Sequence, residues 1–216
     1  MAHGQPHLVL LGDSIFDNVR YVTPGPDVVT QLRGLLPPGW RATLRAVDGA
    51  ITAGLAPQLR NLPEDATHLV VSLGGNDALQ NIDLLTLSVT SSGQALRAWA
   101  SRLAAFEAAY RDAIHRVTAV GLHTTLCTIY NGNLDETQAT AARMGIALFN
   151  DVILRTALDE KVDTVELRHV CREPGDYANP IEPSVQGGLK IARAIAASLT
   201  AAPGAAGHMR LWGAAG

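Results

Sequence analysis

The chain has 216 residues, 47% of them hydrophobic and 17% charged, with a formal net charge of −3. That length and apolar content support one compact domain with a sizeable core and exclude disorder of the whole chain. The slightly acidic balance excludes the basic footprint that nucleic-acid binding needs.

The first buried strand is expected at Leu8–Leu11, an apolar run that ends at Gly12-Asp13-Ser14. Val28, Leu32, Leu35 and Leu36 then recur at helical spacing until Pro37-Pro38-Gly39 stops them. Strands follow at Thr43–Val47 and His68–Leu73. The strongest helix runs through Leu96, Trp99, Leu103, Phe106, Tyr110, Ile114, Val117 and Val120, with Gly121 placed as a C-cap. A fourth strand is expected at Thr124–Ile129, then a helix with Ala142, Ile146, Phe149 and Ile153 on one face. The fifth strand is expected at Val162–Leu167. After a loop from Arg172 to Pro183, Ser184 is placed to cap a last helix carrying Ile191, Ile195 and Leu199.

The strand runs are β-branched or Leu-rich without strict alternation, as parallel strands covered on both faces should be. Strand and helix alternate throughout. The expected fold is therefore α/β: a three-layer α/β/α, flavodoxin-like sheet of five parallel strands with right-handed crossovers. Residues 1–200 read as a single domain. The Ala- and Gly-rich stretch 201–216 reads as a flexible tail in which Met209, Leu211 and Trp212 could dock.

No run reaches the roughly 18 apolar residues of a spanning helix. Met1 to Pro6 lacks the basic start of a secretory leader, so a cytoplasmic location is expected. Cys127 and Cys171 match neither a disulfide framework nor a zinc spacing. The histidines show no paired metal spacing, and neither a metal nor a cofactor is expected.

Open parallel sheets bind ligands at their C-terminal strand ends. The turns there read Gly12-Asp13-Ser14, Asp48-Gly49-Ala50-Ile51-Thr52-Ala53-Gly54, Gly74-Gly75-Asn76-Asp77 and Tyr130-Asn131. Each alone is an ordinary turn signal. Together, in this order, they resemble the SGNH hydrolases, also called GDSL-type esterases and lipases. "LVLLGDSIFDN" resembles the first block of that family, "VDGAITAG" the second and "VVSLGGNDAL" the third. The resemblance implies a Ser14 nucleophile acting on a small-molecule ester. It also implies an oxyanion hole from the backbone N–H of Ser14, an N–H at Gly54 or Ala53, and the Asn76 side chain. Asp13, Tyr130 and Tyr177 are candidates for contacting substrate, and residues 80–93 for walling one side of the cleft. Oligomeric state stays open.

The last block departs from the family. Its pattern, Asp-x-x-His-Pro-Ser-x-x-Gly, is met here by Asn179-Pro180-Ile181-Glu182-Pro183-Ser184-Val185-Gln186-Gly187. Glu182 stands where the family's His stands, and Asn179 where its Asp stands. A second register keeps the acid as Asp176 but puts Asn179 in the His place and loses the Pro-Ser-x-x-Gly spacing. Of the seven histidines, only His169 follows a strand on the correct edge. Two functions remain from this reading. One is an esterase in which Glu182, supported by Asn179 or Asp176, takes the serine proton. The other is a domain of the same architecture that has lost hydrolysis and binds a ligand or partner. Nucleotide binding is disfavoured, because neither a Walker lysine motif nor GxGxxG follows the first strand.

Overall fold

The computed structural model describes residues 5–200. His3, His208 and the stretch 201–216, including Met209, Leu211 and Trp212, lie outside the described residues. Five parallel strands form one sheet: β1 (His7–Gly12), β2 (Arg41–Leu44), β3 (His68–Ser72), β4 (His123–Cys127) and β5 (Asp163–Val165). Their order is β2-β1-β3-β4-β5. This is the flavodoxin-like order, and its switch point lies between β1 and β3.

Strand β1 shows why three layers form. Its side chains alternate, so Leu8 and Leu10 enter one core while Val9 and Leu11 enter the other. The first core is closed by Val28, Val29 and Leu32 of α2 (Val28–Leu35) and by Ile191 and Ile195 of α8 (Val185–Thr200). The second is closed by Phe106, Tyr110, Ile114 and Val117 of α5 (Ser92–Thr118) and by Phe149 and Ile153 of α6 (Glu136–Glu160). Leu96 and Val120, expected on the buried stripe of the long helix, are exposed instead. Leu96 lies near the start of α5 and Val120 just past its end.

Three strands end short of expectation for local reasons: β2, β5 and β4, which stops at Cys127 rather than Ile129 because the Ile129 N–H turns to Asn150 Oδ1 at 2.7 Å. β2 ends at Leu44 rather than Val47 because Arg45 and Ala46 both donate to the Leu10 carbonyl, which breaks the regular ladder. The chain still follows β1, since the Val47 N–H reaches Gly12 O at 3.0 Å. β5 shortens to three residues because the Leu167 N–H turns to the Thr128 hydroxyl at 2.8 Å. Short helices α1 (Val19–Val22), α3 (Leu55–Leu59), α4 (Gly75–Leu79) and α7 (Leu167–Val170) occupy loops that lacked a clear helical period.

The end of β1 is built with little tolerance. Gly12 adopts φ +125°, and a Cβ there would fall 1.7 Å from Ser72 O on β3. Gln58, buried on α3, accepts from the Gly12 N–H at 2.7 Å and donates to the Gly12 carbonyl at 2.8 Å. Its amide thus replaces a missing strand partner and fixes the turn that follows. Replacing Gln58 with Ala leaves the buried Gly12 N–H unpaired. Urea unfolding is expected to show a loss of about 1–3 kcal/mol.

Candidate active site

Ser14 follows β1, and its neighbours in space come from the ends of β3 and β4 and from the loop before α8. Its hydroxyl donates to Glu182 Oε1 at 3.1 Å. Both residues are buried, with Ser14 8% and Glu182 6% exposed. The second carboxylate oxygen, Oε2, is buried with no hydrogen-bond partner among the described residues.

The backbone around Glu182 is held from four directions. Asn179 Oδ1 accepts from the N–H groups of Ile181 and Glu182, both at 2.9 Å. The Ala178 N–H donates to Glu182 O at 2.9 Å, and the Asn133 N–H to Pro180 O at 2.8 Å. The Tyr130 hydroxyl donates to Ile181 O at 2.6 Å. The Pro-Ser-x-x-Gly tail explains the rest. Ser184 Oγ accepts from the Gly187 N–H at 3.1 Å and caps the start of α8. A Cβ at Gly187 would fall 2.0 Å from Asp176 O, so only glycine lets the preceding loop pack this closely.

The second and third turns clamp each other. Asn76 Nδ2 donates to Ala50 O at 2.9 Å, and the Thr52 N–H donates to Asp77 Oδ2 at 3.0 Å. Gly54 is already committed, because its N–H donates to Ile51 O at 2.8 Å inside the 3-10 turn Thr52–Gly54. Among the described residues, the N–H groups of Ser14 and Ala53 have no hydrogen-bond partner, and Asn76 keeps its second amide proton free.

Burial sets the electrostatics. It pushes the Glu182 carboxyl up to about 7, with nearby Asp48 adding to the rise and the Ser14 hydrogen bond and Arg20 opposing it. Asp13 is 2% exposed and is pushed up to about 8. Its causes are burial first, then the charges of Glu182 and Asp77, against a hydrogen bond from the Ile15 N–H. Burial also raises Asp77.

A cavity of about 430 Å³ opens beside the serine. Asp13, Ser14, Asn76, Tyr130 and Glu182 line it, as do Asn81, Ile82, Leu85 and Thr86 from the stretch expected to wall the cleft. The other expected site residues lie elsewhere. Asp176 is fully buried in an ion pair with Lys190 at 2.7 Å and accepts from the N–H groups of Arg172 and Glu173. Burial alone would raise its carboxyl, but these partners hold it below the usual range, and none of its hydrogen bonds reaches Ser14 or Glu182. Tyr177 packs edge-on against Tyr130 and donates to Cys171 O, outside the cavity wall. Asn179 is exposed, and its side chain accepts from the Glu182 backbone N–H with no hydrogen bond to the Glu182 carboxylate. His169 is exposed on α7, and no histidine among the described residues lines the cavity. Nor do the described residues gather three or more His, Cys, Asp or Glu in a metal-holding group. None of their helices is long and apolar enough to cross a membrane.

The model of the GDSL-like lipase/acylhydrolase family matches residues 10–187, from within β1 to the glycine of the last block. The chain belongs to that family. Similar solved structures of GDSL-like architecture include the extracellular lipase from Streptomyces rimosus. It has TM-score 0.67 and 16% identity, with 88% of this chain and 98% of that one covered. An acetylxylan esterase from Geobacillus stearothermophilus has TM-score 0.67 and 19% identity, covering 93% and 97%. The phospholipase A1 from Streptomyces albidoflavus has TM-score 0.64 and 17% identity, covering 91% and 100%. At these identities the likeness is one of fold. No curated protein sequence matches the chain.

This GDSL-like chain carries a cost in its own first block. Burial pushes the Asp13 carboxyl up to about 8 from an ordinary 3.8, so the folded state holds more protons between those values. Stability tied to Asp13 is therefore full at acid pH and declines as pH rises toward 8. An Asp13→Asn variant keeps an acceptor for the Ile15 N–H and removes that titration. In thermal unfolding, its advantage over the parent is expected to widen steadily from about pH 4 to about pH 8. A gap that stays constant across that range would contradict the buried, protonated state.

Proposed function

We propose that the protein is a serine esterase whose nucleophile is Ser14 and whose general base is Glu182. The observation that carries the reading is the 3.1 Å hydrogen bond from Ser14 Oγ to Glu182 Oε1, two residues that line a largely apolar cavity. The distance is within the reach needed for proton transfer.

The steps balance without a third catalytic group. Ionised Glu182 takes the Ser14 proton as Oγ bonds to the ester carbonyl carbon. The oxyanion is met by the Ser14 N–H, by Asn76 Nδ2 and by the N–H of Ala53, in preference to the committed Gly54. Protonated Glu182 then gives its proton to the leaving alkoxide, and an acyl-serine forms. Water attacks that ester, Glu182 takes its proton and returns it to Ser14 Oγ, and a carboxylic acid leaves.

The exchange of Asp-x-x-His for Asn179-Pro180-Ile181-Glu182 is coherent in charge. An imidazole base becomes positive when it accepts a proton and needs a carboxylate beside it. A glutamate base becomes neutral, so a further carboxylate would only repel its ionised form. Asn179 instead supplies an acceptor for the Glu182 backbone. Burial lifts Glu182 to about 7, close to the range in which an imidazole works. The largely apolar cavity, with no cationic lining residue among the described residues, supports an ester with a lipophilic acyl group as the substrate class.

Hydrolysis of a short-chain 4-nitrophenyl ester tests this reading. Activity is expected to rise with pH through an inflection near 7, where Glu182 loses its proton. Ser14→Ala should abolish it. Glu182→Gln should lower kcat by about 10²–10⁴-fold. Equal rates in parent and Ser14→Ala would remove the esterase reading and leave a ligand-binding domain of GDSL-like architecture. Asn76→Ala is expected to cost about 10²–10³ in kcat if its amide meets the oxyanion.

A further inference from the structure

We propose that the cavity beside Ser14 is an acyl-chain pocket and that Trp99 sets the longest chain it accepts, an inference that rests on the esterase reading above. The cavity lies between two walls. One comes from α4, the 3-10 turn Ile82–Thr86 and the start of α5, and the other from α6. Apolar groups dominate both, among them Ile82, Leu85, Ile129, Ile146 and Phe149. Among the described residues, its only charged lining groups are Asp13 and Glu182, beside the serine, and none of them is a cation to receive an anionic acyl group. An acetyl group would leave most of the 430 Å³ unfilled. An unbranched aliphatic chain would replace water along its length.

Trp99 joins the two walls. It belongs to α5, yet its indole lies against α6 at Gly145. An ideal Cβ on Gly145 would sit 2.8 Å from Trp99 Cη2 and 3.4 Å from Cζ3. Any other residue at 145 would push the ring away. Gly145 lies within the 25-residue helix α6, where glycine is disfavoured relative to alanine, and the ring accounts for its presence. Both Trp99 and Gly145 face the cavity. The indole thus closes the gap between the helices and removes space that a smaller side chain would open.

Two measurements test this independently of each other. The first is Ser14-dependent hydrolysis of 4-nitrophenyl esters from acetate to laurate. kcat/KM is expected to climb about fourfold per added methylene, the worth of one buried CH₂, and then to stop climbing. In Trp99→Ala, and in the milder Trp99→Leu, that break should move to longer chains. An optimum at acetate, or the same break in the parent and both variants, would overturn the proposal while leaving esterase activity standing. The second is calorimetric binding of methyl alkyl ketones to Ser14→Ala, which carry the carbonyl but no ester. Affinity that rises with chain length and extends in Trp99→Ala supports the pocket even if no ester is turned over. Affinity without chain-length dependence overturns the pocket even if esters are hydrolysed.

Discussion

Ser14 Oγ and Glu182 Oε1 lie 3.1 Å apart although 168 positions separate them in the chain. Almost every unusual feature near the C-terminal sheet edge serves that approach. Gly12 turns the chain where a Cβ would strike β3, and Gln58 holds the turn in place. Asn179, Asn133 and Tyr130 fix the backbone that presents Glu182. Gly187 lets the last helix begin against the Asp176 loop. These contacts cost little individually because most are backbone hydrogen bonds that would be needed anyway. Their joint effect is to keep a carboxylate out of water with a single hydroxyl partner.

That desolvation is also the source of strain. Asp13, Glu182 and Asp77 all have carboxyls raised by burial at one end of the sheet. A fold selected for stability alone would not gather three desolvated carboxyls, and the charges of Glu182 and Asp77 further oppose the ionisation of Asp13. Stability given up at a cluster of titratable groups in a cleft is a common mark of a reactive centre. The contrast with Asp176 is instructive. It is more deeply buried than Glu182, yet Lys190 and two backbone N–H groups hold it ionised, and it serves the loop structure.

The architecture was legible because it rests on periodicity. Five apolar runs and the α2, α5, α6 and α8 patterns specify the layers, and the turns after β1 and β3 carry the first and third blocks. Ser184 was legible as the cap of the last helix because its hydrogen bond to the Gly187 N–H is local. What stayed hidden depends on contacts between distant segments. Gln58 gives no local signal, because its partner is a backbone 46 positions earlier. The hydrogen bond that commits the Gly54 N–H to Ile51 O lies inside the 3-10 turn and leaves no mark on the sequence. Tyr177 resembled a substrate contact because it sits in the right loop, but its hydroxyl is spent on Cys171 O. Trp99 read as part of a buried stripe, and only the absent side chain at Gly145 shows that it bridges two helices.

Phosphonylation of the serine by an organophosphonate, followed by mass spectrometry from about pH 5 to about pH 9, reports nucleophile activation without any choice of natural substrate. The label is expected on Ser14, at a rate that rises in the parent through an inflection near 7 and is slow and nearly flat in Glu182→Gln. Equal labelling rates in the parent and Glu182→Gln, or a label on another residue, would contradict a Ser14 nucleophile with Glu182 as its base.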